Sequence, residues 1–255
     1  MNENYDKLLD LLLKLKNDYY ASALKLELET EIISTSEIDL VKSLVDDAKL
    51  DLTVKVSGCS AVSDIFLCKA LQAKNIFVPM VESPYALNKF YKNIKNILED
   101  KEISLLFNIE TVNAWKNIDE ILGYENIDAF DAVVFGRNDF CSSIGKTADY
   151  VDSDEIFDVA ENILRKIQNK KLKFFLGGNV SMSSFDFMKR LNCEKFKNFE
   201  TRKITFDTRC LDKDFQKALL LALEFEFLWL NSKSFANVID EKRKSVIQQR
   251  LANVV

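Results

Sequence analysis

The feature that most constrains the fold is a repeated alternation between two hydrophobic periods. Short apolar runs typical of buried strands are followed by stretches whose apolar residues recur at helical spacing. Runs with strand character occupy residues 23–29, 50–57, 75–81, 104–109, 131–139, 173–179 and 199–207. Because strands that alternate with helices form right-handed βαβ units, the pattern predicts a parallel sheet with helices packed against it.

The predicted helices show recognisable starts. The segment 34–49 has Ser34 three residues before Glu37, which is the spacing of a capping box. Further helices are predicted over 61–74, 85–100, 111–122, 154–170 and 184–191, and from residue 212 to the end. Seven strand–helix units without a break in composition predict one TIM-type (β/α) barrel rather than two domains.

We therefore predict one (β/α)-barrel domain over 1–255, with barrel units at about 22–207 and a helical C-terminal extension at 212–255. An eighth strand is not evident: it is either missing, or the N-terminal helix closes the bottom of the barrel. An open doubly wound sheet is the alternative fold, disfavoured because no G-x-G-x-x-G turn follows the first strand. The apolar segment 215–239 predicts either core or a subunit interface, and hence a homo-oligomer.

Charge and cysteine content exclude several classes of protein. The net charge of -5 argues against a nucleic-acid-binding protein, which usually carries a basic excess. No apolar run reaches the roughly 18 residues of a membrane span, and the first 20 residues lack the zones of a signal peptide. The five cysteines show no C-x-x-C spacing, which predicts reduced thiols in a cytoplasmic protein.

The chain contains no histidine. This absence excludes Ser–His and Cys–His nucleophile pairs and histidine-ligated zinc. Any catalytic chemistry must then use carboxylates, lysine, arginine, tyrosine, cysteine, backbone amides or a metal with oxygen ligands.

Polar residues collect at the predicted C-terminal ends of the strands, where parallel barrels carry their functional groups. These strand-end residues are Glu27, Glu29, Lys55, Glu82, Glu110, Asp139, Gly177, Gly178, Glu200 and Arg202. Several acids at one barrel mouth are costly unless they are paired or bound to a cation. Oxygen ligands suit Mg²⁺ or Mn²⁺.

Two segments carry a family resemblance. "FNIETVNAWKNIDEIL" (107–122) and "IDAFDAVVFGRNDFCSSIGK" (127–146), preceded by "KNIFVPMVESPYALNKF" (74–90), resemble the HpcH/HpaI aldolase/citrate lyase family over about residues 22–207. The resemblance implies a (β/α)₈ barrel and a divalent metal, Mg²⁺ or Mn²⁺, held by Glu110 and Asp139. It also implies formation or cleavage of a carbon–carbon bond in a 2-oxo acid or an acyl-CoA compound.

That chemistry suits these residue types. Cleavage beside a 2-oxo group leaves an enolate, whose charge a metal chelated by the substrate would withdraw. Backbone amides around Asn138 and Asp139 would hold the substrate carboxylate. The pair Gly177–Gly178 either lets the backbone approach a ligand or only makes a tight turn.

The chain also departs from the family pattern. Pyruvate aldolases of the family have arginine where this chain has Lys55, and a histidine in the region where it has Glu29 and Thr30. We expect Lys55 or Arg202 to steady negative charge on substrate or enolate. Glu29 or Glu82, or a metal-bound water, would serve as base. Structural ion pairs are the competing explanation for each of these side chains.

The sequence thus predicts a divalent-metal-dependent lyase of the class II aldolase type, with a small 2-oxo acid such as pyruvate or a 4-hydroxy-2-oxo acid as substrate. Two alternatives stay open. One is a non-catalytic barrel that binds a small acid or a partner protein, suggested by the missing histidine and the lysine at position 55. The other is a citrate lyase-like enzyme that acts on acyl-CoA compounds.

Overall fold

The computed structural model describes residues 3–98, 102–233 and 236–252, in which eight strands form a closed barrel surrounded by helices. The strands are β1 (Ala21–Glu27), β2 (Asp51–Lys55), β3 (Asn75–Val78), β4 (Ser104–Ile109), β5 (Ala132–Gly136), β6 (Lys173–Gly177), β7 (Phe196–Glu200) and β8 (Ile204–Asp207). Each strand pairs with its neighbour in chain order, and β8 closes the ring on β1. The predicted TIM-type (β/α) barrel is confirmed as a fold class, and its extent as a single domain stays a prediction.

A helix is present in every segment where the periodicity predicts one, and the helix at Arg137–Ser143 was not predicted. The helices are α1 (Glu3–Tyr19), α2 (Thr35–Ala48), α3 (Val62–Leu71), α4 (Pro84–Leu98), α5 (Val112–Lys116), α6 (Ile118–Leu122), α7 (Arg137–Ser143), α8 (Asp154–Ile167), α9 (Ser184–Arg190), α10 (Phe215–Ser232) and α11 (Val238–Ala252). The predicted capping box is present: Ser34 accepts from the Glu37 amide, and the Glu37 carboxylate accepts from the Ser34 amide. None of the helices described here is long and apolar enough to cross a membrane.

The prediction of a single seventh strand over 199–207 is wrong. This segment contains the end of β7, a turn at 201–203 and β8, which runs antiparallel to both β7 and β1. Thr201 closes the turn, because its amide donates to the Ile204 carbonyl at 2.9 Å and its hydroxyl accepts from the Ile204 amide at 3.1 Å. The segment predicted as the seventh strand therefore contains the eighth strand as well. The barrel is mixed rather than wholly parallel.

The fifth strand is shorter than predicted, which moves two candidate site residues. Strand β5 ends at Gly136, so Asn138 and Asp139 lie in the first turn of α7 instead of on the strand.

The N-terminal helix does not plug the barrel. Helix α1 packs in the outer layer against α2 and α10, with Leu8, Leu12 and Leu15 buried along one face.

The apolar C-terminal segment contributes to the core of its own chain. Helix α10 buries ten residues, among them Phe225 and Trp229, and α11 packs against it. A role of this region in a homo-oligomer stays a prediction.

Inside the ring, the side chains divide into two walls. The apolar wall lies on β3 to β6 and consists of Phe77, Leu106, Ala132 and Val134, with Phe175 packed against them. The charged wall lies on β7, β1 and β2 and contains Lys25, Glu27, Lys55 and Glu200. Side chains two residues apart in a strand share a face, which explains why alternate residues of "KLE" and "TVK" point inward together.

Candidate active site

A cavity of about 340 Å³ opens at the C-terminal ends of the parallel strands. Its walls come from the strand ends and the loops that follow them, and residues of α10 and α11 complete it. The predicted site residues Glu29, Lys55, Glu110, Asn138, Asp139, Gly177, Gly178 and Arg202 all line this one cavity. A cavity of this volume admits a small ligand, and its charged lining suits a polar one.

Glu110 follows β4 directly and is almost fully buried at 1% exposure. The amide of Met80 donates to its Oε1 at 2.8 Å, and the side-chain amide of Asn108 donates to its Oε2 at 2.6 Å. Burial raises the pKa of Glu110, although Lys55 and these two hydrogen bonds act in the opposite direction. The carboxylate is therefore held in a fixed position by the structure beneath it.

The absence of a side chain at Gly136 leaves the space that the side chain of Glu110 occupies. A Cβ atom at residue 136 would lie 2.7 Å from both Cβ and Oε2 of Glu110. The end of β5 thus needs glycine because the acid from the neighbouring strand occupies that space.

Asp139 reaches the same cavity from the first turn of α7 and is half-buried. Burial raises the pKa of Asp139, while Lys55 lowers it and Glu29 and Glu27 raise it further. The charge of Asp139 also raises the pKa of Glu110. The ionisation of both acids that the family resemblance singled out therefore depends on the same group of neighbouring charges, which includes Lys55.

Lys55 ends β2 between these acids. Its Nζ lies 2.9 Å from Glu29 Oε2 and 3.5 Å from Glu110 Oε2. Burial would lower the pKa of Lys55, but the surrounding acids Glu110, Glu27 and Glu29 outweigh burial and raise it. Lys55 is thus an ammonium ion, which suits charge stabilisation and does not suit nucleophilic attack.

Lys25, which the sequence analysis did not single out, is the centre of the charged wall. Its Nζ lies 3.0 Å from Glu27 Oε1 and 3.1 Å from Glu200 Oε2. Burial opposes ionisation of Glu27, yet Lys25, Arg202 and Lys55 together lower the pKa of Glu27 to about 2. The alternation of charged and leucine residues in "LKLELE" was the available signal, since it places Lys25 and Glu27 on one strand face.

Arg202 lies in the β7–β8 turn and lines the cavity. Its guanidinium donates to Thr30 Oγ1 at 2.6 Å and lies 3.5 Å from Glu27 and 3.9 Å from Glu226. The sequence analysis missed Glu226 on α10 and its bidentate partner Arg243 on α11, joined at 2.6 and 2.7 Å. Both residues lie on helices rather than at the ends of strands. A search of the predicted strand ends therefore did not find them.

The glycine pair after β6 is shaped by a close backbone contact. Gly178 has φ of +86°, and a Cβ there would lie 2.4 Å from the Asn138 amide nitrogen. The buried side chain of Arg137 donates to the carbonyls of Gly177 and Gly178, both at 3.1 Å, and pairs with Asp152. This arrangement fixes the loop against the first turn of α7.

Glu82 is not one of the described residues that line the cavity. Its carboxylate accepts from Thr111 Oγ1 at 2.5 Å, and Thr111 caps α5 through the Ala114 amide. Glu82 therefore stabilises the loop after Glu110. Its carboxylate is directed to Thr111 rather than to a ligand in the cavity.

The donor atoms fit a hard divalent cation when water and ligand oxygens complete the set. Within the described parts of the chain, no three acidic, cysteine or histidine side chains converge to hold an ion alone. Mg²⁺ is commonly held by only one or two carboxylates, and Glu110 and Asp139 supply two. In addition, Asn108 Oδ1 lies buried beside Glu110 without a hydrogen-bond partner. An orphaned oxygen acceptor suits a site that receives a cation or a donor group.

Comparisons with known proteins agree with the fold. A family model described as HpcH/HpaI aldolase/citrate lyase matches residues 44–180. The structure is similar to that of an HpcH/HpaI aldolase from Desulfitobacterium hafniense DCB-2, with 15% identity, coverage of 73% of this chain and 78% of the other, and a TM-score of 0.59.

Two further solved structures are similar. The citrate synthase SbnG shows 17% identity, coverage of 76% and 82%, and a TM-score of 0.58. An HpcH/HpaI aldolase/citrate lyase family protein from Burkholderia cenocepacia J2315 shows 10% identity, coverage of 71% and 89%, and a TM-score of 0.52. A search of curated proteins by sequence gives no match.

Proposed function

Since the chain belongs to the HpcH/HpaI aldolase/citrate lyase family, we propose that it is a divalent-metal-dependent carbon–carbon lyase of the aldolase type with a 2-oxo acid substrate. The observation that carries the proposal is the convergence of Glu110, Asp139 and Lys55 on one cavity at the barrel mouth. Acids from two separate strand–helix units meet there, next to a buried ammonium ion.

Glu110 and Asp139 would hold Mg²⁺ or Mn²⁺, with the carboxylate and keto oxygens of the substrate and water as further ligands. Bound there, the cation would supply a Lewis acid that withdraws negative charge from the reacting 2-oxo acid. The hydrogen bonds from Met80 and Asn108 would orient Glu110 for this task.

Lys55 has the role of a fixed positive charge. Its Nζ is held between Glu29 and Glu110 at 2.9 and 3.5 Å, which supports a role beside the place where negative charge would develop on the substrate. A positive charge that is already oriented stabilises that development without reorganisation. Asn138, Gly177 and Gly178 line the cavity, and their backbone amides would hold the substrate carboxylate.

Glu29 is the best placed base in a chain without histidine. Its side chain is 31% exposed, whereas that of Glu110 is 1% exposed, so Glu29 has access to both substrate and water. In the direction of cleavage it would take the proton of the substrate 4-hydroxyl group. Glu82 is not proposed for this role, because its carboxylate bonds to Thr111.

Exchange of the methyl protons of pyruvate for deuterium tests the proposal by NMR. We expect exchange with Mg²⁺ or Mn²⁺, none with excess EDTA, and a loss of at least about 100-fold in Glu110→Gln and Asp139→Asn. Glu82→Gln makes a matched change at an acid outside the cavity and should exchange within severalfold of the unchanged protein.

A folded protein that neither exchanges pyruvate protons nor cleaves any 4-hydroxy-2-oxo acid with either metal contradicts the proposal. It would then favour the alternative of a non-catalytic barrel. Saturable binding of coenzyme A, measured by calorimetry, would instead support the alternative of an enzyme that acts on acyl-CoA compounds.

A further inference from the structure

A buried ion pair adjoins the cavity without lining it. Lys203 and Glu31 are 1% and 7% exposed, and the Lys203 ammonium donates to Glu31 Oε2. Each follows directly on a residue that lines the cavity, Arg202 and Thr30. Burial lowers the pKa of Lys203, and Glu31 acts against this effect. Apolar side chains of similar volume are often as stable as a buried ion pair, so stability alone does not explain why these two charges are present.

The pair joins the loop after β1 to the turn between β7 and β8. Glu31 lies in that loop, and its second carboxylate oxygen, Oε1, accepts from the Glu27 amide at 3.3 Å. Lys203 ends the turn, and its carbonyl accepts from the Lys25 amide at 2.7 Å. Because both partners are also bonded to the backbone of β1, the ion pair has a fixed position relative to the barrel.

The loop that Glu31 anchors carries Glu29, the proposed base. The amides of Thr30 and Glu31 both donate to the Glu27 carbonyl, at 3.2 and 2.9 Å, and so close a single turn around Glu29. The Glu29 carboxylate extends from this turn to Lys55 Nζ at 2.9 Å. The distance between Glu29 and Lys55 therefore depends on the position of the turn, which Glu31 fixes.

Arg202 and Lys203 hold the same turn in different ways. Arg202 donates to Thr30 Oγ1 at 2.6 Å, but its side chain is 25% exposed and lines the cavity, where a substrate would compete for its donors. Lys203 is shielded by α10, since its Nζ lies 5.3 Å from the ring centroid of Trp229, which is 1% exposed. Opposite charges attract more strongly where water is excluded. Lys203 with Glu31 is therefore an anchor that does not depend on the substrate.

We propose that Lys203 and Glu31 are a positioning pair, which sets the loop after β1 so that Glu29 lies against Lys55 in the geometry for proton transfer. This inference rests on the proposed function of Glu29 as base. Neither partner would touch substrate or metal, so the pair would act on kcat rather than on binding. It gives the β7–β8 turn a part in the reaction besides that of Arg202.

The test removes both charges together, so that neither is left buried without its partner. Lys203→Met with Glu31→Gln keeps the side-chain volumes, and the urea midpoint should stay close to that of the unchanged protein. In the exchange of pyruvate methyl protons, where Glu29 would take the methyl proton, kcat with Mn²⁺ should fall about tenfold or more. KM for pyruvate and the Kd of Mn²⁺ should change by less than about twofold.

Two further variants separate positioning from general stability. Glu31→Asp keeps both charges but is one methylene shorter, so it should retain the fold and still lower kcat severalfold. In a Glu29→Gln background the paired substitutions should lower the remaining kcat by less than about twofold, because changes that act through one residue do not add. As the control, Lys166→Met with Asp119→Asn removes an ion pair at the surface and should leave kcat unchanged.

An unchanged kcat in the paired variant would overturn the inference, as would an equal loss of kcat with and without Glu29. A rise in KM alone would also contradict it. If the paired variant does not fold, the kcat of Glu31→Asp decides between the same outcomes. Exchange that the pair does not affect would remove only this inference, whereas no exchange by the unchanged protein would remove the proposed function and, with it, the role of Glu29.

Discussion

The apolar wall and the charged wall line the same barrel interior, but they are built on different physical principles. The apolar wall is a packed layer in which each side chain is stabilised by removal from water. The charged wall buries Lys25 and Glu200 at 6% and 3% exposure and depends on ion pairs to offset the cost of desolvation. Hydrophobic residues of similar volume would often be as stable there, so stability alone does not explain these charges.

The difference indicates where function, and not stability alone, accounts for the residues present. The charged wall ends at the cavity in Lys55, with Glu29 and Arg202 beside the wall, whereas strands β5 and β6 of the apolar wall end in Gly136 and Gly177. Places where a sequence violates the simple rule of an apolar interior tend to be functional sites. Substitutions in either wall, or at the boundary between the two, should therefore have different effects.

Replacement of Lys25 by methionine should have the largest effect on stability. It keeps the volume but leaves Glu27 and Glu200 without their shared cation, which typically costs ~3–5 kcal/mol for a buried pair. Urea unfolding measures the loss. The double variant Lys25→Met/Glu200→Gln should recover part of it, and a double variant that is no more stable than the single one would argue against a shared charge network.

Leu106→Ala tests the opposite wall. Leu106 is 1% exposed within the apolar cluster, so its truncation leaves a cavity and should cost ~2–4 kcal/mol. Because no charge is involved, the loss should be the same at pH 7 and at pH 4. A loss that depends strongly on pH would mean that the two walls are not independent.

Gly136→Ala tests the boundary between the walls. The new methyl group would meet Glu110 at 2.7 Å, so it should destabilise the fold by ~1–3 kcal/mol and displace Glu110. Loss of Mn²⁺ binding, measured by electron paramagnetic resonance, is the expected second effect. Gly177→Ala is the matched control, because its nearest neighbour in the structure, Glu200 Oε2, would be 3.8 Å away. Equal effects of the two substitutions would contradict the proposed contact.

The pH dependence of stability gives an effect similar in size to that of Gly136→Ala, about 1–3 kcal/mol. The pKa of Glu27 is lowered to about 2 in the folded protein, so its stabilising contribution is complete above its unfolded pKa of about 4.5. That contribution should disappear as the pH falls from about 5 to 2. The difference in unfolding free energy between the unchanged protein and Glu27→Gln should shrink over the same range, and a constant difference would count against the pairing.

Much of the fold was predictable because strand and helix periods are local. The capping box at Ser34 and the alternation of elements need only residues close in sequence. The β7–β8 turn escaped prediction because "TRK" contains none of the usual turn residues, and Thr201 closes it with its own hydroxyl. The predicted fifth strand was extended into the start of α7 because "VVFGRND" has no clear break in period.

The candidate site was predictable only where it follows a strand. Glu110 and Asp139 were found through their motif, and both line the cavity. Arg243 and Arg250 lie more than 100 residues beyond Asp139 and reach the cavity through the packing of a C-terminal helix. Lys25 was hidden by its position in the middle of a strand, where a buried lysine is unusual.

The central claim is that Glu110 and Asp139 together bind one divalent cation. The most direct test is anomalous scattering from a crystal soaked with Mn²⁺ and oxalate, a stable mimic of the two oxygens of a 2-oxo acid. We predict a single Mn²⁺ peak at about 2.1 Å from a carboxylate oxygen of each residue, with oxalate completing the coordination. A peak elsewhere, or a cavity that binds oxalate through Lys55 without any metal, would contradict the account.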